Sequence, residues 1–175
     1  YCISDTPINI LNYGVSGDTA AMGLSRMDEM LCHKPDMVIV CFGLNDVNKG
    51  MKGIQEYEEA LVEILKKLDG IQTIFMTPNM MNTCVDEFET NTEVIKLMEE
   101  TANHQNSGVM DAYMACAEKV CDKYNIKVCD CYSIWKNMKK SGINVSGLLS
   151  NAINHPKEEM HWLFAYELFK TIIKI

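Results

Sequence analysis

Asp36-Met37-Val38-Ile39-Val40-Cys41-Phe42-Gly43-Leu44-Asn45-Asp46 is the stretch that decides the fold. Its apolar half is of strand length and rich in β-branched residues, the pattern of a strand buried on both faces. Such strands belong to parallel sheets with helices packed on each side. The run stops at Gly43, and Leu44, Asn45 and Asp46 turn the chain toward polar surroundings. In open α/β sheets ligands bind just beyond the carboxyl ends of the strands, so Asn45 lies where chemistry is expected.

The same alternation extends in both directions. Upstream, Ile8-Asn9-Ile10-Leu11-Asn12-Tyr13 reads as a first strand, and Gly14 to Thr19 turns it into a helix ending near His33, with Asp18 or Thr19 as the N-cap. Downstream, Ile54, Tyr57, Leu61, Ile64, Leu65 and Leu68 recur at helical spacing, followed by Lys66, Lys67 and Gly70 as stop signals. Ile71 to Met76 is the next strand, closed by Thr77-Pro78-Asn79. Residues 79 to about 107 read as a long excursion with some helix, whose Met80, Met81 and Phe88 are expected to line a pocket or cover the sheet. Val109, Met110, Tyr113, Met114, Ala117, Val120, Cys121 and Tyr124 mark a further amphipathic helix. Ile126 to Cys131 reads as a strand and His161 to Ile175 as a last helix. The 175 residues therefore predict one domain, a three-layer α/β/α sandwich around a parallel sheet.

Composition narrows the function. The formal net charge is −8 and no Lys/Arg-rich run occurs, which argues against a nucleic-acid partner. No apolar run is long enough to span a bilayer, and no secretory leader is recognisable in a chain that opens on Tyr1. The eight cysteines include no Cys-x-x-Cys pair, and Cys41, Cys129 and Cys131 fall in or beside strands. Free thiols serving as small core residues are expected, which favours a reducing, cytoplasmic location.

Three places can carry chemistry. Asn12-Tyr13-Gly14-Val15-Ser16-Gly17-Asp18-Thr19 leaves backbone N–H groups bare before a helix, a setting for negative charge, or is a plain β–α turn. It is neither a dinucleotide fingerprint nor a nucleophile elbow, since Asp18 stands where Gly-x-Ser-x-Gly needs glycine. Gly43-Leu44-Asn45-Asp46 offers a side-chain amide that can hold an oxyanion, or a turn-forming Asn-Asp pair. His155, kept extended by Pro156, suits a general base, or is a surface residue. His161 reads as a helix residue, and His33 and His104 are assigned nothing.

In this order the three blocks resemble the SGNH/GDSL hydrolase family of esterases and acylhydrolases, over a span from about Ile8 to the C-terminus. The resemblance implies a flavodoxin-like sheet and a serine ester hydrolase working through an acyl-enzyme. It implies Gly17 N–H and the Asn45 side chain as oxyanion donors, His155 as general base, and no metal or organic cofactor. A small-molecule ester, such as an acylated carbohydrate or lipid, would be the substrate. Acyl transfer to an alcohol with the same residues and a non-catalytic ligand-binding domain are the alternatives. Two departures stand out. The family's Gly-Asp-Ser block with the nucleophile is not found, and Ser4-Asp5 has the wrong order. The nucleophile and its strand are therefore expected outside this chain, leaving the chain itself inactive. The aspartate that usually stands three residues before the histidine is Ala152 here. That leaves His155 to be oriented by Asn151, Asn154 or a backbone carbonyl; Asp130 reads more naturally as a helix cap.

Overall fold

The computed structural model describes residues 8–173. In chain order the elements are α1 (Ala20–Ser25), α2 (Met27–Leu31), β1 (Met37–Val40), a 3-10 stretch (Asp46–Gly53), α3 (Ile54–Lys67) and β2 (Gln72–Met76). Then come α4 (Thr92–Asn106), α5 (Val109–Lys123), β3 (Lys127–Cys129), α6 (Cys131–Lys140) and α7 (His161–Ile172), with short 3-10 turns at Ser146–Leu148 and Glu158–Met160. The three strands form one parallel sheet in the order β1-β2-β3. Val40 lies opposite Phe75, and Met76 opposite Cys129. Each strand-to-strand connection runs through helix, as a parallel pair requires.

Alternation along the strands divides the core. Val38, Val40, Phe75 and Val128 face α3 and α5, where Tyr57, Leu61, Ile64, Met110, Tyr113 and Met114 complete the larger cluster. The opposite face, with Met37, Ile74, Met76 and Cys129, packs against Leu163, Phe164, Leu168 and Ile172 of α7. These are the layers expected from the sequence.

Several expectations are corrected. Residues 8–13 form no strand: Ile8, Ile10 and Leu11 are exposed, Ile10 to 88%. Their composition suits a strand, but a strand exists only where a neighbour takes its backbone hydrogen bonds, and here none does. Nor is β1 buried on both faces. Helix α7 lies over β3, so the β1 end of that face is uncovered, leaving Ile39 42% exposed and Cys41 at the surface. Cysteines 121, 129 and 131 are buried free thiols as expected, whereas Cys32 and Cys84 join Cys41 outside the core. The first helix breaks at Arg26, whose N–H bonds Gly23 O three residues back and tightens the turn. Met80 and Met81 are buried in the core, the second of the two expected outcomes, while Phe88 stands in solvent. The last strand ends at Cys129, and Cys131 opens α6. Asp130 is that helix's cap, its Oδ1 accepting from Ser133 N at 3.0 Å and Thr77 Oγ1 at 3.1 Å. Ser4-Asp5 lies outside the described residues.

Candidate active site

The turn after residue 13 is built from local bonds. Asn12 Oδ1 accepts from Gly14 N at 2.9 Å, and Asp18 N donates to Val15 O at 3.2 Å. Gly17 has φ +84°, a left-handed conformation that glycine adopts without steric cost. It is exposed, and among the described residues its N–H has no acceptor. Thr19 caps α1 through its side chain to Met22 N. Arg26 reaches back across the turn: Nη1 donates to Tyr13 O at 3.1 Å, and Nη2 forms an ion pair with the Asp18 carboxylate.

The β1 end is constrained more tightly. Gly43 has φ +127°, and a Cβ there would meet Met114 Cε at 2.5 Å. Val47 N donates to Gly43 O, closing the turn that presents Asn45. Asn45 Nδ2 donates to Asp18 O at 2.9 Å, so the two turns meet. One of its amide hydrogens is used in this bond, and the second is available to a ligand.

Asp46 makes a second tie between them. It is 5% exposed, and its two oxygens accept from Ala20 N at 2.9 Å and Gly43 N at 3.0 Å. Burial raises its pKa above the usual carboxylate value, opposed by those N–H groups and by Lys49. Read locally, Asp46 is a turn former; its partner at the start of α1 is 26 residues away. The Gly-x-Asn-Asp pattern that marks Asn45 carries the signal for Asp46 as well.

His155 lies in a loop closed on itself. Asn151 Oδ1 accepts from the backbone N–H of Ile153, Asn154 and His155, and Ser150 N donates to His155 O at 2.7 Å. Ala152 has φ +55°, in the left-handed region. The loop is fastened to the segment after β2. Asn79, 3% exposed, donates through Nδ2 to Met80 O and Asn154 O, both at 2.8 Å, and Asn82 N donates to Ile153 O at 2.7 Å. The His155 side chain is exposed, and no hydrogen bond to its ring is made among the described residues. Asn151 therefore fixes the backbone of His155, and Asp130 is engaged at α6. His161 opens α7, its ring 6.2 Å from that of Phe164. The structure thus joins the Gly17 turn to Asn45 directly; no such bond links His155 to either. Among the described residues no group of three or more His, Cys, Asp or Glu side chains is placed to hold a metal ion.

A side-chain amide and a bare N–H thus stand at neighbouring turns, on an α/β sheet that also carries a loop histidine. The chain belongs to the GDSL-like lipase/acylhydrolase family, whose model matches residues 4–163. It is an SGNH/GDSL esterase-like hydrolase by family. Solved structures with the same fold include a catalytic mutant of the acetylxylan esterase Axe2 from Geobacillus stearothermophilus. That match has 22% identity and a TM-score of 0.70, covering 93% of this chain and 71% of that one. The acetyl xylan esterase AlAXEase matches with 21% identity and a TM-score of 0.69, covering 90% and 77%. A gut microbial diltiazem-metabolizing enzyme matches with 17% identity and a TM-score of 0.72, covering 95% of this chain and 40% of that one. At these identities the likeness shows the fold. Comparison with curated protein sequences finds no match. No helix among the described residues is long and apolar enough to cross a membrane.

Proposed function

We propose that this chain forms most of a serine ester hydrolase whose nucleophile lies outside residues 1–175. A serine hydroxyl would attack the ester carbonyl while His155 takes its proton. The Gly17 N–H and the Asn45 side chain, with the serine's own N–H, would hold the tetrahedral oxyanion. His155 would return the proton to the leaving alcohol, and water would hydrolyse the acyl-enzyme to acid and free serine. The observation that carries this reading is the Asn45 Nδ2 to Asp18 O bond, which sets the amide donor beside the turn with the unused Gly17 N–H.

Two features support a nucleophile strand from elsewhere. The outer edge of β1 has no partner among the described residues, and the strand-like residues 8–13 lie exposed and unpaired. A strand between them would satisfy both. An acetyl or other short-chain ester, carried by a carbohydrate, is the substrate class, supported by relatives described as acetylxylan esterases.

The test uses the full reading frame that contains this chain, assayed with p-nitrophenyl acetate and with acetylated xylo-oligosaccharide. A fluorophosphonate should label one serine outside residues 1–175 and abolish turnover. Asn45→Ala should lower kcat by about 10²–10³, and His155→Ala should lower it at least as far. A folded full-length protein that is neither labelled nor active would overturn the reading in favour of a non-catalytic relative.

A further inference from the structure

We propose that Arg26 is a positioning residue for the oxyanion donors, its guanidinium clamping both ends of the turn that presents the Gly17 N–H. This rests on the reading of Gly17 and Asn45 given above and extends it to a residue that touches no reacting atom.

Arg26 is the only arginine in the chain, against 15 lysines. It sits at the break between α1 and α2, where its backbone is no longer helical and its side chain is free to turn back toward the loop. One Nη meets the carbonyl of Tyr13 at the start of the turn, and the other meets the carboxylate of Asp18 at its end. Between these points lie Gly14 and Gly17; the Asp18 N to Val15 O bond closes the turn around Ser16 and Gly17, and among the described residues no bond anchors those two to another part of the fold. A glycine-containing turn fastened only by itself samples several conformations, so the direction of an unpaired N–H depends on what fixes the ends.

Asp18 transmits the clamp onward. Its carboxylate is held by Arg26, while its carbonyl accepts the Asn45 amide. The series Arg26–Asp18–Asn45 therefore sets both donors relative to one another. The Asp18 side chain is 14% exposed, so water screens the pair less than at a surface. The task needs a fork: a planar guanidinium offers two donors in fixed directions, whereas an ammonium is a single point.

Two measurements test the clamp with Arg26→Lys and Arg26→Met. On this chain, backbone 15N relaxation should show order parameters at Gly14–Asp18 falling from about 0.85 to below about 0.6 in both variants. Thr73–Phe75 in β2 should stay rigid. In the full reading frame, kcat should fall about 10- to 100-fold with KM changed less than about threefold, and free guanidinium should restore part of kcat in Arg26→Met. Unchanged order parameters in a folded variant would overturn the proposal, as would a KM rise with kcat intact. Failure of both variants to fold would overturn it as well, since Arg26 would then be a structural residue. If the wild-type full-length protein has no esterase activity, the hydrolase reading fails, and the relaxation result alone decides whether Arg26 orders the turn.

Discussion

Removing the Asp46 carboxylate should loosen the site at its most deeply buried joint. In Asp46→Ala the N–H groups of Ala20 and Gly43 lose their acceptor in a place water does not reach. Each orphaned buried donor costs about 1–3 kcal/mol, so the variant should lose about 2–6 kcal/mol, a large part of the roughly 5–15 kcal/mol that holds an ordinary domain together. For a chain of this size that corresponds to a fall in melting temperature of roughly 4–24 °C. Asp46→Asn keeps one oxygen acceptor and should lose about half as much. Denaturant unfolding followed by circular dichroism measures both. The pH dependence gives an independent sign. Burial holds the folded-state pKa of Asp46 above its unfolded value, so folding favours proton uptake by this group. Its contribution is complete below the unfolded pKa of about 4 and declines as pH rises through the folded value. The deficit of Asp46→Asn relative to wild type should therefore shrink as pH is raised across that window. A deficit under about 0.5 kcal/mol for Asp46→Ala would refute the argument, because it would mean the two turns do not depend on this tie.

Three further substitutions probe the scaffold. Gly43→Ala places a methyl against the Met114 tip at a backbone angle that L-residues avoid, and should cost about 2–4 kcal/mol in denaturant unfolding. Asn79→Ala removes both donors to the Met80 and Asn154 carbonyls. Hydrogen exchange at Asn82 N and Ser150 N should accelerate at least tenfold, corresponding to about 1.4 kcal/mol; unchanged protection would show that the His155 loop stands without it. Ala152→Gly relieves a left-handed alanine at φ +55° and should raise stability by about 0.5–1 kcal/mol, read as a small rise in melting temperature.

What the sequence made legible follows from which interactions are local. The spacing from Ile54 to Leu68 defines α3 because the face it buries repeats every helical turn. Thr19 and Asp130 were readable as caps because a cap bonds two or three residues ahead. Residues 8–13 were misread because strand composition is local but strand pairing is not. Met80 and Met81 fit a pocket wall or a cover for the sheet equally well in sequence, and only the fold buries them in the core, where Met81 N donates to Gln105 Oε1 on α4. At the candidate site, glycine and asparagine motifs marked where Gly17 and Asn45 lie. Asp46 and Arg26, which hold those two turns, and Asn79, which holds the His155 loop, act across 26, 8 to 13 and 75 residues respectively, and only the fold brings their partners near.

The two halves of the site are anchored to different parts of the molecule. The Gly17–Asn45 side is fixed by the buried Asp46 and by Arg26 to α1 and the β1 end, beside the large core under α3 and α5. The His155 loop is fastened to the segment after β2 and runs directly into α7. That helix buries no residue completely, and Trp162 on it is 79% exposed. Local opening follows burial and contact density, so α7 should separate from the sheet at lower free energy than α3 or α5. Motions that shift His155 against the donors therefore cost less than motions that shift the donors against each other.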